Sequence, residues 1–145
     1  MTADQIFTIA NTAALLGWLL LIFAGRLRWV ATLVTGVIIP GLFAILYIGL
    51  LIAHWGEGKG GGFNTLGQVM ILFSNPWLVL GGWVHYLAFD LFIGSWEARD
   101  AARNGIPHLA VIPCLMLTFL FGPAGLLLYF VLRAAMRKVP ALTAS

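Results

Sequence analysis

The sequence predicts an all-α integral membrane protein, a bundle of about four transmembrane helices, and three observations carry that expectation. The 145 residues are 61% hydrophobic and only 9% charged, with a mean hydropathy of +1.00, whereas soluble domains usually carry about 25% charged residues. Four apolar stretches approach or exceed the roughly 20 residues that one span requires. Seven of the eight Lys and Arg stand in two pairs and a triplet at the ends of those stretches, where flanking charges anchor helices to headgroups. Such a chain has no residues left for a separate catalytic domain in water. Despite the net charge of +3, it lacks basic patches interleaved with aromatics, so membrane lipid and not nucleic acid is the expected surrounding.

The first stretch, about 6–25, is broken only by Thr8, Asn11 and Thr12 and closes on Arg26, Arg28 and Trp29. Met1 to Ala10 holds Asp4 and no basic residue, so no cleavable signal peptide is expected and the stretch should stay as a membrane anchor. The second, about 30–54, carries Pro40 and Gly41 at mid-membrane, and a kink is expected at Pro40. The segment Trp55 to Gln68 is rich in glycine and reads as the one long loop. The run Val69 to Ser74 is short and apolar, suited to the interface or to a re-entrant path, before Asn75-Pro76 starts the third span at about 77–96. A charged link from Gly94 to His108 leads to the fourth span, about 108–132, which ends at Arg133, Arg137 and Lys138. With four spans, Lys59, Arg133, Arg137 and Lys138 would share one face and Arg26, Arg28, Arg99 and Arg103 the other. A charge balance of four against four sets no orientation. The single Cys114 excludes an intramolecular disulfide.

The third span holds the chemistry. Asp90 falls about 14 residues into it, where a carboxylate costs about 2.5 to 3.5 kcal/mol to insert and therefore faces the bundle interior. At 100° per residue, Tyr86, Asp90 and Glu97 lie within about 40° of one another and form one polar stripe, while His85 points about 140° away from Asp90. One reading makes Asp90 a proton donor or acceptor, with His85 or Glu97 as the complementary group. A structural reading makes Asp90 a glue that bonds Asn11, Thr12 or Thr35 on neighbouring helices. A proton or ion path is a third, weakened by the lack of acids on other spans. Asp90 and Glu97 are about 10 Å apart along the axis, and no HxxxH or ExxH pair occurs, so neither a metal nor another cofactor is expected. His54 and His108 fall at helix ends, where an amphipathic ring is comfortable. Gly81, Gly82 and Gly94 thin the third helix, and FGPAG, Phe121 to Gly125, thins and bends the fourth. That thinning admits close helix packing or a flat, rigid ligand.

The segments WVHYLAFDLFIGSWEARD and CLMLTFLFGPAGLLLYFVLR resemble the abscisic-acid-deficient-four family of small membrane proteins over roughly Phe73 to Arg133. His85, Asp90, Leu91 and Phe92 match the family's run, as do Pro123 and Gly125. Plant members carry an arginine near the position of Ser95, where this chain has Glu97 and Arg99. The resemblance implies carotenoid chemistry, because the plant members form, or are required to form, neoxanthin in chloroplast membranes. In that reaction a violaxanthin epoxide opens and a neighbouring proton is lost to leave an allene. It is an isomerisation that needs an acid and a base and no redox cofactor. The expected catalytic residues are Asp90 and His85, tuned by Glu97, and the expected ligand-binding residues are Asn11, Trp83, Tyr86, Phe92 and Gly94. The expected ligand is a polyene or other isoprenoid lipid. The alternatives are a carotenoid- or retinoid-binding subunit without catalysis and a small transporter component. The chain shows no plastid transit peptide and is expected in a bacterial inner membrane. A C40 polyene about as long as the bilayer core is thick would overfill so small a bundle, so a homo-oligomer is expected.

Overall fold

A computed structural model describes residues 1–137, with side chains through 136. Lys138 and the side chain of Arg137, assigned above to a helix end, lie outside the described residues. Those residues contain no strand and run in the order α1 (Ala3–Ala24), a π-helical stretch (Val30–Ile38), α2 (Ile39–His54), a 3-10 turn (Trp55–Glu57), α3 (Leu66–Leu72), α4 (Pro76–Arg103), α5 (His108–Phe121) and α6 (Pro123–Arg137). The segments Ala3–Ala24, Val30–Glu57 and Pro76–Arg103 are long and apolar enough to cross a membrane. The all-α membrane bundle expected from composition is the fold observed.

Local chemistry explains the helix starts. Thr2 and Gln5 close α1 with a capping box, in which Gln5 N–H donates to Thr2 Oγ1 at 3.3 Å and Thr2 N–H to Gln5 Oε1 at 2.9 Å. Thr8 and Thr12 return their hydroxyls to carbonyls four residues back, which removes their polarity from the lipid face. Asn75 caps α4 by accepting from Trp77 N–H and Leu78 N–H, with Pro76 in the first turn. Part of the expected loop is ordered: Thr65 caps α3, whose Leu72 is buried against the glycines at 58 and 61.

The kink expected at Pro40 takes another form. Proline lacks the N–H that would bond the carbonyl of Gly36, and the preceding nine residues, Val30–Ile38, adopt a π-helix. The Thr35 hydroxyl donates to Val30 O across five residues at 3.1 Å and accepts from Ser95 Oγ of α4 at 2.8 Å, so the widened segment is stitched to the central helix. Helix α4 packs against α1, the π-helical stretch, α2, α5 and α6. Two buried apolar clusters share it, one around Phe43, Leu80 and Val84 and one around Trp18, Leu91 and Tyr129.

Two expectations need correction. Helix α4 ends at Arg103, not near residue 96, because the segment placed in a charged link buries Glu97, Ala98 and Ala101 and so continues the helix. The apolar stretch 108–132, expected as one span, is two short helices of 14 and 15 residues broken at Gly122. Gly122 has φ +42°, a conformation costly for residues with a Cβ, and Pro123 then starts α6. Helix α6 doubles back along α5: a Cβ at Gly125 would collide with the Thr118 backbone, and Tyr129 and Arg133 return to Asp100 near the start of α5.

The tip of this hairpin lies beside Asp90, about midway along α4, so the chain re-enters the bundle and leaves on the side it came from. The charge arrangement changes accordingly. Arg26, Arg28, Arg99, Arg103 and Arg133 gather at one end of the bundle, while Lys59 stands at the other. The balance of four against four expected for four spans does not hold.

Candidate functional site

The polar stripe on α4 exists and faces the hairpin. Tyr86 Oη donates to Phe119 O at 3.3 Å. Two turns further on from Asp90, Glu97 is fully buried and accepts from Thr118 Oγ1 at 3.0 and 3.2 Å through its two oxygens. Between them is Asp90, whose carboxyl lies against Gly122: a Cβ there would come within 3.0 Å of Oδ1. The absence of a side chain at the hairpin tip is what makes room for the acid.

Asp90 and Glu97 differ in what surrounds them. Asp90 Oδ2 is buried and has no hydrogen-bond partner among the described residues, an exception that calls for an explanation because buried polar atoms are almost always paired. The structural partners considered for it are otherwise engaged. Asn11 Oδ1 accepts from Trp83 Nε1 at 2.8 Å, Thr12 bonds Thr8 O, and Thr35 bonds Val30 O and Ser95. None of these three side chains hydrogen-bonds to Asp90.

The carboxyl lines a groove of about 380 Å³ between α1, α4 and α5, walled by Trp18, Trp83, Tyr86 and Phe119 and rimmed by exposed Leu15 and Leu120. Trp83 and Tyr86 lie with ring centroids 5.3 Å apart, and Phe7 extends the row on the far side of Trp83 at 5.6 Å. Asn11 fixes the indole edge of Trp83. Of the expected site residues, Asn11, Trp83, Tyr86 and Asp90 meet in this groove.

The others do not. His85 is on the opposite side of α4, between Tyr47 and Phe89 at 5.5 and 4.7 Å, in a separate groove of about 240 Å³ with Leu51, Phe73 and Gly82. The helical angle computed from sequence anticipated this separation, and Asp90 and His85 do not form a pair. Phe92 also points away from the groove, with the Arg99 guanidinium 5.9 Å from its ring centroid. Gly94 is covered by the Trp18 indole, whose Cζ3 would lie 2.7 Å from a Cβ at that position. Its missing side chain admits a tryptophan, not a ligand. His54 stacks on Trp77 at 4.2 Å and His108 Nε2 meets Ile22 O at 2.8 Å, which accounts for both rings at helix ends. Among the described residues no three His, Cys, Asp or Glu side chains converge as metal ligands would.

Two features escaped the sequence reading. Asp100, assigned to a link, accepts from Tyr129 Oη at 2.6 Å and from Arg133 Nε and Nη2 at 2.6 and 3.3 Å. This cluster ties α6 back to α4. Gly122 as the neighbour of Asp90 was signalled by FGPAG, although nothing in the sequence indicates which acid a folded tip would meet.

Fold and site together define a small helical membrane protein with a half-buried acid, one of whose oxygens is buried without a partner, in an aromatic groove open toward lipid. The ABA DEFICIENT 4-like family model matches residues 5–129, and the chain belongs to that family. Membership is consistent with a carotenoid-related membrane protein. No curated protein and no solved structure matches the chain.

Proposed function

We propose that the chain is a cofactor-free isomerase of a carotenoid or related isoprenoid, with the Asp90 carboxyl as its acid–base group. The observation that carries this reading is the unpartnered Asp90 Oδ2 at the floor of the Trp18–Trp83–Tyr86–Phe119 groove. Aromatic walls suit the flat, apolar end ring of such a lipid, and exposed Leu15 and Leu120 leave the rest of a polyene free to run along α1 and α5 into the bilayer. A second copy of the chain is the proposed cover for that extended part.

The chemistry balances within one carboxyl. Asp90 gives its proton to an epoxide oxygen as the carbon–oxygen bond breaks. One carboxylate oxygen then takes a proton from the neighbouring carbon as the new double bond forms, which returns the acid to its starting state. Tyr86, anchored on Phe119 O, positions the ring beside it. Glu97, which accepts from Thr118, acts on the site by holding α5 in place.

The test is the pigment content of the protein purified from a carotenoid-producing host, for the parent chain and Asp90→Asn. The isomerase reading expects both to retain pigment and the product to disappear with Asp90→Asn. Retention of pigment with no product from either would favour a binding subunit. A colourless parent protein with unchanged host pigments would remove the carotenoid reading.

A further inference from the structure

A second polar cleft opens at the far end of α4 from the N-terminus, about 280 Å³ in volume and lined by Arg26, Arg28, Thr32, Ala98, Arg99 and Arg103. Among the described residues no carboxylate answers these four arginines. Of the five acids in the chain, Asp4 and Glu57 belong to the opposite end, Asp90 and Glu97 lie inside the bundle, and Asp100 is engaged by Tyr129 and Arg133. Arg99 is also held in a prepared seat: its Nη1 donates to Ala31 O at 2.5 Å, and Gly36 leaves the room its guanidinium occupies. Four cations gathered in one cleft repel one another unless an anion joins them.

We propose that this cleft binds the phosphate group of an anionic phospholipid in the adjacent leaflet. Guanidinium groups match phosphate oxygens in a two-point geometry that ammonium groups lack. The cleft lies where the helices end and headgroups begin. Exposed Leu27 and Trp29 flank the arginines and give the lipid's glycerol and upper acyl region an apolar and aromatic contact.

The test titrates the full-length protein in non-ionic detergent with dioctanoyl phosphatidylglycerol, dioctanoyl phosphatidylcholine and inorganic phosphate. Binding is followed by microscale thermophoresis for the parent, Arg28→Gln/Arg103→Gln and Lys59→Gln. The double variant leaves the Arg99–Ala31 bond in place and changes only exposed side chains. The proposal expects phosphatidylglycerol to bind more tightly than phosphatidylcholine, with affinity falling as salt rises. It expects the double variant to lose about 25-fold, from about fivefold per arginine, and Lys59→Gln to match the parent. Equal affinity for the two lipids, or a double variant that binds like Lys59→Gln, would overturn it. Inorganic phosphate that binds as tightly as phosphatidylglycerol would keep the phosphate chemistry and overturn the lipid as its source.

Discussion

Asp90 and Glu97 occupy the same stripe of the same helix, seven positions apart, yet the molecule treats them in opposite ways. Glu97 is fully buried, and its two oxygens share the single hydroxyl proton of Thr118. Asp90 has one orphan oxygen in an aromatic groove. Both acids meet the same hairpin, one at the body of α5 and one at its tip. What separates the two acids is the unfilled hydrogen-bonding capacity of Asp90, and the proposed acid–base role rests on it.

The largest effect expected from this contrast is on turnover. Asp90→Asn should lower isomerisation at least about 100-fold, the usual scale of a lost acid–base group, in product assays on the purified protein. Next comes Thr118→Val, which leaves Glu97 buried without its donor and should cost about 1 to 3 kcal/mol, read as a lower melting temperature in detergent. An equal loss of stability in Asp90→Asn would erase the distinction between the two acids. Gly122→Ala sharpens it, since the new Cβ both strains a positive-φ position and crowds Asp90 Oδ1. About 1 to 3 kcal/mol of lost stability and reduced turnover should appear together in the same melting and product assays. The smallest effect belongs to His85→Ala, which should leave turnover within about threefold because a residue outside the groove contributes no proton transfer.

The hairpin also makes a topological prediction. Five of the described basic side chains gather at one end and Lys59 stands alone at the other, so the positive-inside rule sets that end in the cytoplasm. A cysteine introduced at exposed Ala102 should resist a membrane-impermeant maleimide in intact cells, and one at Lys59 should react. The reverse labelling would overturn that orientation.

Composition and periodicity made much of this legible. The apolar runs and their flanking arginines located the helices, Asn75-Pro76 marked the start of α4, and the helical angle alone separated His85 from Asp90. FGPAG announced a bend in 108–132 but not a full reversal, because a fold-back changes neither hydropathy nor length. It depends on Gly122 adopting a positive φ and on Gly125 closing against the Thr118 backbone, both properties of the packed state. The Asp100–Arg133 pair was hidden for the same reason, since the two meet only once α6 returns. Gly94 looked like space for a ligand, but a sequence does not tell which ring fills a gap, and here it is Trp18.

The most direct test of the account pairs Asp90→Asn with Glu97→Gln, measuring melting temperature and turnover of both purified variants against the parent. The predicted result is that Asp90→Asn melts with the parent but lacks turnover, while Glu97→Gln retains most of its turnover because an amide oxygen still accepts from Thr118. A Glu97→Gln variant that folds like the parent but is inactive, beside an Asp90→Asn variant that still turns over, would contradict it.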